Sequence, residues 1–343
     1  LAIGAQDAIL PHWGLATMER IMRRLLLPFL LLLGTACWAQ ERIPIILDTD
    51  IGDDIDDALA LALALQSPEL DVRAVTTVID DTETRTRLAW KELGLYGRHD
   101  IPVATGASEP LLDPVRPQRA RQFEVLTDAD TVPEAAHRRA AGLIIDTLMA
   151  SPRPMTLVPI GPLTNIALAL KSGPNIRPKI ARIVLMGGAF HMLYQEYNIW
   201  RDRVAAEIVF SSGVPITAVG LDVTTRCKLE GPDLARLRAA DNPASRFLAK
   251  LIDLWQDGHP NQFPTLHDPL AVAAAFQPNL IETQLGSVQV ETGCCVANGL
   301  TMFKAADQLA VGAKATTLIA RDVNVRGFLD LFLDRVTAAP RGK

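Results

Sequence analysis

From Ile43 to about Leu237 the chain alternates between short apolar runs rich in β-branched residues and longer stretches whose apolar positions recur at helical spacing. After a first run at Ile43, Ile45, Ile46 and Leu47, strands are predicted from Asp71 to Val78, Ile101 to Ala104, Met155 to Ile160, Ile180 to Met186 and Pro215 to Leu221. Helices are predicted between them, from Thr84 to Tyr96, Glu134 to Ala150, Leu163 to Lys171 and Ala205 to Ser211. Such alternation predicts an α/β fold, a mostly parallel central sheet with helices on both faces. No internal repeat or low-complexity linker interrupts it. The longest irregular piece, Ser108 to Pro133, is rich in Pro, Arg and Asp and reads as a loop or flap near a site.

One stretch stands apart from this regularity, IPIILDTDIGDDIDDALALALAL from Ile43 to Leu65. Asp48, Asp50, Asp53, Asp54, Asp56 and Asp57 fall between two uninterrupted apolar runs, the pattern of a buried strand, a turn at Gly52 and a helix buried on nearly all sides. Six like charges at one strand end repel, and without a partner several would have to take up protons. A bound cation relieves the repulsion. Oxygen ligands on a turn suit Ca²⁺ or Mg²⁺ rather than zinc or copper, which would call for His or Cys. The bland alternative is a solvated acidic turn in which Asp54 or Asp56 caps the helix. It accounts for one or two of the six and not for the set.

The first forty residues belong to a different class of sequence. A plausible initiator appears only at Met22, and MRRLLLPFLLLLGTACWAQ has two arginines, an apolar core from Leu25 to Leu33 and small residues before Gln40. This is the layout of a secretory signal peptide cleaved after Ala39. Residues 1–21 are then an upstream extension, 22–39 the signal, and 40–343 a single domain, exported to the periplasm or secreted. The apolar run is too short for a stable membrane span. A lipid anchor on Cys37 ranks lower, because Gly34-Thr35-Ala36 lacks the Leu that a lipoprotein signal places three residues before its cysteine.

Charge and cysteine usage narrow the partners. With 34 basic and 39 acidic residues the net charge is −5, and no basic run stands out beyond the signal, so nucleic acid is not an expected partner. Cys227, Cys294 and Cys295 remain after cleavage, an odd number with an adjacent pair, which suggests neither a zinc site nor a disulfide framework.

In such sheets ligands bind outside the carboxyl ends of the strands. The residues just beyond each strand are therefore the candidate site: the aspartates, Ile79-Asp80-Asp81, Ile160-Gly161-Pro162-Leu163-Thr164-Asn165, Met186-Gly187-Gly188 and Asp222. Gly187-Gly188 reads equally as a close approach to a ligand or an ordinary tight turn. Thr164 and Asn165 could bond locally at a helix start. Glu196 and Asn198, two apart, would point the same way in an extended segment, as hydroxyl-binding groups do, or form an exposed loop pair. His267-Asp268-Pro269 precedes the apolar stretch Leu270 to Phe276, where local reasoning favours Asp268 as a helix cap.

Several of these segments recur together elsewhere. DTDIGDDIDDALAL, VPIGPLTNIALAL, RIVLMGGAF, EYNI, GLDVTT and HDPLAVAAAF stand in the order and spacing of the inosine-uridine preferring nucleoside hydrolase family, and VQVETGCCVANGLTMF is similar to its late β-hairpin. The resemblance covers Ile43 to Arg335. It implies a Rossmann-like nucleoside hydrolase fold, cleavage of the N-glycosidic bond of ribonucleosides, one tightly held Ca²⁺ and a homo-oligomer, dimer or tetramer. In that chemistry the metal grips a water and the ribose diol while a carboxylate activates the water; calcium acidifies water less than zinc does, so a base is still required. By matching motifs, Asp50 is the ligand and general base, Asp48 supports it, Ile160 ligates through its backbone carbonyl, Asp268 is the distant carboxylate ligand, and His267 assists the leaving base. Substrate contacts are implied at Asp56, Asp81, Met186, Glu196 and Asn198.

The departures concern sugar and base more than metal. Ile51 replaces the family's usual proline, and Asp53-Asp54-Ile55 expands the motif by two residues before Asp56-Asp57-Ala58. Alignment on the DDA ending makes Asp57 a metal ligand, whereas alignment from Gly52 nominates Asp54. Asp80-Asp81 stands for the usual Gly-Asn, the segment His191 to Gln195 is short, Tyr197 replaces a Phe, and the flap lacks the usual His-Gly. The reading is a working hydrolase whose glycone or leaving group can differ from a standard nucleoside. Two alternatives are a non-catalytic Ca²⁺-dependent sugar or nucleoside binder and a phosphohydrolase of the haloacid dehalogenase type, whose paired aspartates Asp48-Thr49-Asp50 imitate. Gly52 stands where the second wants Thr or Val.

Overall fold

The apolar first strand is buried on both faces. In β1 (Ile43–Thr49), Ile45 and Leu47 enter a core on one side of the sheet and Ile46 enters a second core on the other, so Ile43 to Leu47 is apolar throughout rather than at every second position. The computed structural model describes residues 41–114, 120–293 and 296–341. Arg42–Lys343 forms one compact unit. The segment predicted as a signal peptide, with Met22, Cys37 and Ala39, and the pair Cys294-Cys295, lie outside the described residues.

Around β1 the chain builds a sheet with the order β3-β2-β1-β4-β5-β6-β9-β7-β8. Here β2 is Leu70–Thr77, β3 Val103–Ala104, β4 Met155–Pro159, β5 Ile180–Met186, β6 Ile216–Val219, β7 Ile281–Val290, β8 Thr301–Ala305 and β9 Thr317–Val323. Pairings from β3 to β6, and of β6 with β9, are parallel; β7 runs antiparallel to both β9 and β8. The β7–β8 pair is the late hairpin. β9 carries no sequence signal for its place: it inserts between β6 and β7 out of chain order.

The helices cover both faces, as the alternation predicts. On one, α1 (Asp56–Gln66) is buried along its whole length, packed against α10 (His267–Phe276) and α11 (Val325–Val336), which explains an Ala/Leu run with no polar stripe. Also here are α2 (Thr82–Leu95), α8 (Gly231–Ala239) and α9 (Pro243–Gly258). On the other lie α3 (Ala140–Ala150), α4 (Thr164–Ser172) and α6 (Arg203–Phe210). Short helices α5 (Tyr197–Arg201) and α7 (Leu221–Thr224) come after β5 and β6.

The predicted helix Glu134 to Ala150 is broken. Glu134–His137 is a 3₁₀ turn, and α3 starts only at Ala140. Thr105 N donates to Ala136 O and Ala140 N donates to Thr105 O, so sheet-edge pairing beyond β3 takes backbone groups that a continuous helix would have used. Among the described residues, no helix is long and apolar enough to cross a membrane.

Candidate active site

The carboxyl ends of the parallel strands surround a cavity of about 670 Å³. Asp50, Asp54, Asp56, Asp57, Ile160, Met186, Glu196, Asn198, His267 and Asp268 all border it, as does Asp53. Residues up to 218 positions apart in sequence, Asp50 and Asp268, thus share one chamber.

The loop after β1 is fixed locally and by the flap. The Thr49 hydroxyl donates to Asp57 Oδ1 and accepts from Ile51 N at 3.1 Å, tying the strand end to the start of α1. Gly52 has φ +127°, and a Cβ there would come within 2.5 Å of the Phe123 ring. Phe123 belongs to a 3₁₀ turn, Arg121–Val125, inside the predicted flap; Arg121 and Gln122 border the cavity. Gln122 Nε2 donates to the carbonyls of Asp53 (3.2 Å) and Asp54 (2.7 Å), so the two-residue expansion is gripped by the flap.

Behind this loop the carboxylates crowd. Asp56 and Asp57 lie in the first turn of α1 and Asp268 in the first turn of α10, where helix N-termini favour negative charge. One carboxylate oxygen from each lies within 4.8 Å of the others, and Asp268 N donates to Asp56 Oδ2 at 3.1 Å. Asp268 is no simple cap, since the cap position is Leu266 and no side chain caps the helix. Burial, and then the neighbouring carboxylates, push all three well above the usual carboxylate range. Asp54 falls outside this triad: its Oδ1 accepts from Ile55 N at 2.7 Å. Asp50 is pushed up to about 7, chiefly by burial, with Arg85 opposing. Gly161 lets Asp50 sit close, because a Cβ at that position would stand 2.6 Å from Asp50 Oδ1. The donors are all oxygen, buried and short of positive charge, and they fit a hard divalent cation.

Asp48 lies one step behind the cavity wall. Its Oδ1 accepts from the Thr76 hydroxyl and from Asn165 Nδ2 (2.8 Å), its Oδ2 is buried without a partner, and burial pushes its pKa up to about 7. Thr164 and Asn165 do not bond locally. Thr164 donates to Asp202, and Asn165 also holds Thr77 O and Ala107 N.

Three other expectations change on the far wall. Glu196 and Asn198 are not an extended pair: Glu196 caps α5, accepting from the backbone N–H groups of Gly188, Asn198 and Ile199. Asn198 sits in the first turn of α5, and its Nδ2 donates to Ile160 O at 2.8 Å and Met186 O at 3.2 Å. Asp81 is not at the cavity. It caps α2 by accepting from Thr84 N at 3.0 Å and is exposed, while Asp80 points inward to Arg201 and Arg85. His267 is not upstream of its helix: it is the first residue of α10, its Nδ1 lies 2.7 Å from Thr224 Oγ1, and burial lowers its pKa to about 4.

Sequence reasoning missed the aromatic wall. Trp255 and His259 stack with centroids 4.8 Å apart and, with Tyr197, Trp200 and Leu221, border the cavity. The available signal was their four-residue spacing at the end of an amphipathic helix.

Comparison with known proteins agrees with this geometry. Residues 45–330 match the family described as "Inosine-uridine preferring nucleoside hydrolase". The pyrimidine-specific ribonucleoside hydrolase RihA of Citrobacter koseri is 38% identical over 311 residues, covering 86% of this chain and 98% of the relative. Its namesake from Escherichia coli O9:H4 is 39% identical over 309 residues, with the same coverage. Among solved structures, the purine-preferring ribonucleoside hydrolase from Gardnerella vaginalis superposes with a TM-score of 0.75 at 31% identity, over 86% of this chain and 98% of that one. The plant nucleoside hydrolase PpNRh1 gives 0.74 at 30% identity, over 86% and 99%.

Proposed function

Since the chain belongs to the inosine-uridine preferring nucleoside hydrolase family, whose members hydrolyse ribonucleosides, we propose that it uses Ca²⁺ and Asp50 to cleave the N-glycosidic bond, giving ribose and free base. The observation that carries this reading is the placement of Asp50 beside the buried Asp56, Asp57 and Asp268 triad on the floor of one cavity. A haloacid dehalogenase-type reading has no place in a chain that matches this family over residues 45–330.

The ion's holders would be Asp50, Asp57, Asp268 and the Ile160 carbonyl. Asp57 is preferred to Asp54 because it shares the triad, whereas Asp54 is committed to Ile55 N. When bound, Ca²⁺ supplies Lewis-acid polarisation of a water and a grip on a vicinal diol.

The chain's own groups do the rest. Asp50 takes a proton from water as the water oxygen bonds to the anomeric carbon, while the C–N bond breaks and its electron pair leaves with the base. Asp48, one step behind, supports the strand end from which Asp50 projects. Asp56 and Asn198 serve the ribose hydroxyls, with Glu196 holding the start of α5 and Met186 forming the adjacent wall. Charge developing on the sugar ring faces an acidic floor. His267 is neutral at pH 7, and in the tautomer whose Nδ1 accepts from the Thr224 hydroxyl the proton sits on Nε2, where it would be offered to the departing base. The base itself lies against Trp255 and His259.

The RihA relatives are pyrimidine-specific, so uridine and cytidine are the first substrates to try. The test is release of reducing sugar from a panel of uridine, cytidine, inosine, guanosine and nitrophenyl riboside, with and without a chelator. Cleavage that the chelator stops and Ca²⁺ restores supports the proposal; folded, Ca²⁺-loaded protein that cleaves none of them overturns it and leaves a binding protein. Export to the periplasm or exterior and a dimeric or tetrameric state complete the proposal, checked by N-terminal sequencing of the mature protein and by light scattering.

A further inference from the structure

The two-residue expansion and the replacement of Gly-Asn by Asp80-Asp81 meet at one side chain. Arg85, on α2, is 1% exposed, and its guanidinium fans out over the loop that carries Asp50. Nε donates to Ile79 O (2.8 Å), Nη1 to the carbonyls of Asp50 and Ile51 (2.9 Å to Ile51), and Nη2 to Asp53 Oδ2 (2.6 Å) with Asp80 Oδ2 at 3.7 Å. Asp80 in turn pairs with Arg201, the last residue of α5, the helix that bears Asn198. The expanded Asp53, the replaced Asp80, Arg85 and Arg201 form a chain of alternating charge from the catalytic loop to the sugar-facing helix.

Backbone geometry says the same. Ile79 and Asp80 have φ of 62° and 60°, left-handed values that a β-branched residue adopts only when held there. Arg85 Nε holds the Ile79 carbonyl, and the N–H groups of Ile79 and Asp80 donate to the carbonyls of Ala107 (2.6 Å) and Ser108 (2.8 Å). Five donors in a rigid plane can serve this many separate acceptors; an ammonium on a flexible stem cannot.

We propose that Arg85 is a positioning residue: anchored by Asp53 and Asp80, it clamps the Asp50–Ile51 backbone so that the Asp50 and Asp57 carboxylates are presented together to the cation and substrate. This rests on the reading of the acidic loop as a Ca²⁺-holding catalytic site and adds what aligns it. A role as counter-charge alone makes the opposite prediction. Arg85→Lys would then leave Ca²⁺ affinity unchanged, and Arg85→Met, which uncovers Asp53 and Asp80, would strengthen it.

The experiment titrates Ca²⁺ alone into chelator-stripped full-length protein by calorimetry, for wild type, R85K and R85M, alongside the melting of each metal-free protein. Clamping predicts that both variants bind Ca²⁺ about tenfold or more weakly. It also predicts that R85K loses kcat more than it raises KM on whichever nucleoside the wild type cleaves. R85K that binds Ca²⁺ within twofold of wild type, or R85M that binds more tightly, overturns the proposal. Should R85K and R85M not fold, Asp53→Asn tests the anchor from its partly exposed end. A loss of affinity that persists at about 0.5 M salt supports positioning, and one abolished by salt is through-space charge and overturns it. Wild type that binds Ca²⁺ but cleaves no nucleoside removes the hydrolase reading while the binding arm still decides Arg85. Wild type that binds no Ca²⁺ removes both.

Discussion

At the scale of single residues, the site separates groups that exchange protons from groups that only hold others in place. In the proposed mechanism Asp50 is of the first kind, and Asp50→Ala would remove a base and a cation ligand together. Turnover should fall about a thousandfold or more in steady-state assays, and activity within severalfold of wild type would exclude that role. In the same mechanism His267 acts on the other bond. Burial keeps it neutral near pH 7, so its proposed contribution is a hydrogen bond to the leaving base, which a good leaving group does not need. His267→Ala should therefore slow uridine or inosine about a hundredfold and nitrophenyl riboside less than about threefold. Equal losses on both would count against it. Asp81 illustrates the second kind: its motif position suggests sugar contact, but its carboxylate serves the N-terminus of α2.

Among the elements, α1 matters most, because it has no solvent face and its first turn carries Asp56 and Asp57. Leu59, Leu61 and Leu63 are completely buried. Their packing thus fixes where two of the three clustered carboxylates stand. Leu61→Ala leaves a cavity in the core that α1 shares with α10, and should cost about 2–5 kcal/mol in denaturant unfolding. A cost under about 1 kcal/mol would mean that the helix repacks freely and does not hold the cluster rigidly. The flap's 3₁₀ turn works from the opposite side, since Gln122 and Phe123 clasp the expanded loop that leads into α1.

For the whole molecule, this concentration of buried acid is a cost that a bound cation would offset. The shifts set the sign. Asp48 and Asp50 rise from 3.8 to about 7 in the folded chain, so between these values the folded state binds more protons than the unfolded one. Their stabilisation is complete below about 3.8 and is lost as pH rises through about 7. Asp56, Asp57 and Asp268 are raised well above the usual carboxylate range and act in the same direction. His267, lowered from 6.5 to about 4, acts oppositely: its contribution is present above 6.5 and lost as pH falls toward 4. Asp54, Glu92 and Glu196 are raised as well, so eight carboxylates stand against three lowered ones, Glu69, Asp130 and Asp322, and one imidazole, and the raised set decides the net slope. Melting of the chelator-stripped protein should drop between about pH 5 and 8, and the rise in midpoint on adding Ca²⁺ should be larger at about pH 8, where no proton competes with the ion. A Ca²⁺ increment that does not change with pH would contradict a buried acidic site.

Much of this was already legible along the chain, and the reasons are local. Hydrophobic period and strand-end position identify β1, α1, the parallel sheet and the aspartate cluster, because burial on both faces removes polar residues and like charges so close together require a partner. The family motifs add Ile160, His267 and Asp268. Chain order could not supply the contacts whose energy depends on distant backbone: β9 entering between β6 and β7, the Thr105 pairing that breaks Glu134 to Ala150, and Asn165 reaching Asp48. The opening motif divides in the same way. Its composition alone calls for a cation, but which aspartates gather was decided in three dimensions, where Asp57 joins Asp56 and Asp268 and Asp53 turns away to Arg85. A carboxylate's role depends on the charges and dipoles within a few ångströms of it, and most of those arrive from other parts of the chain.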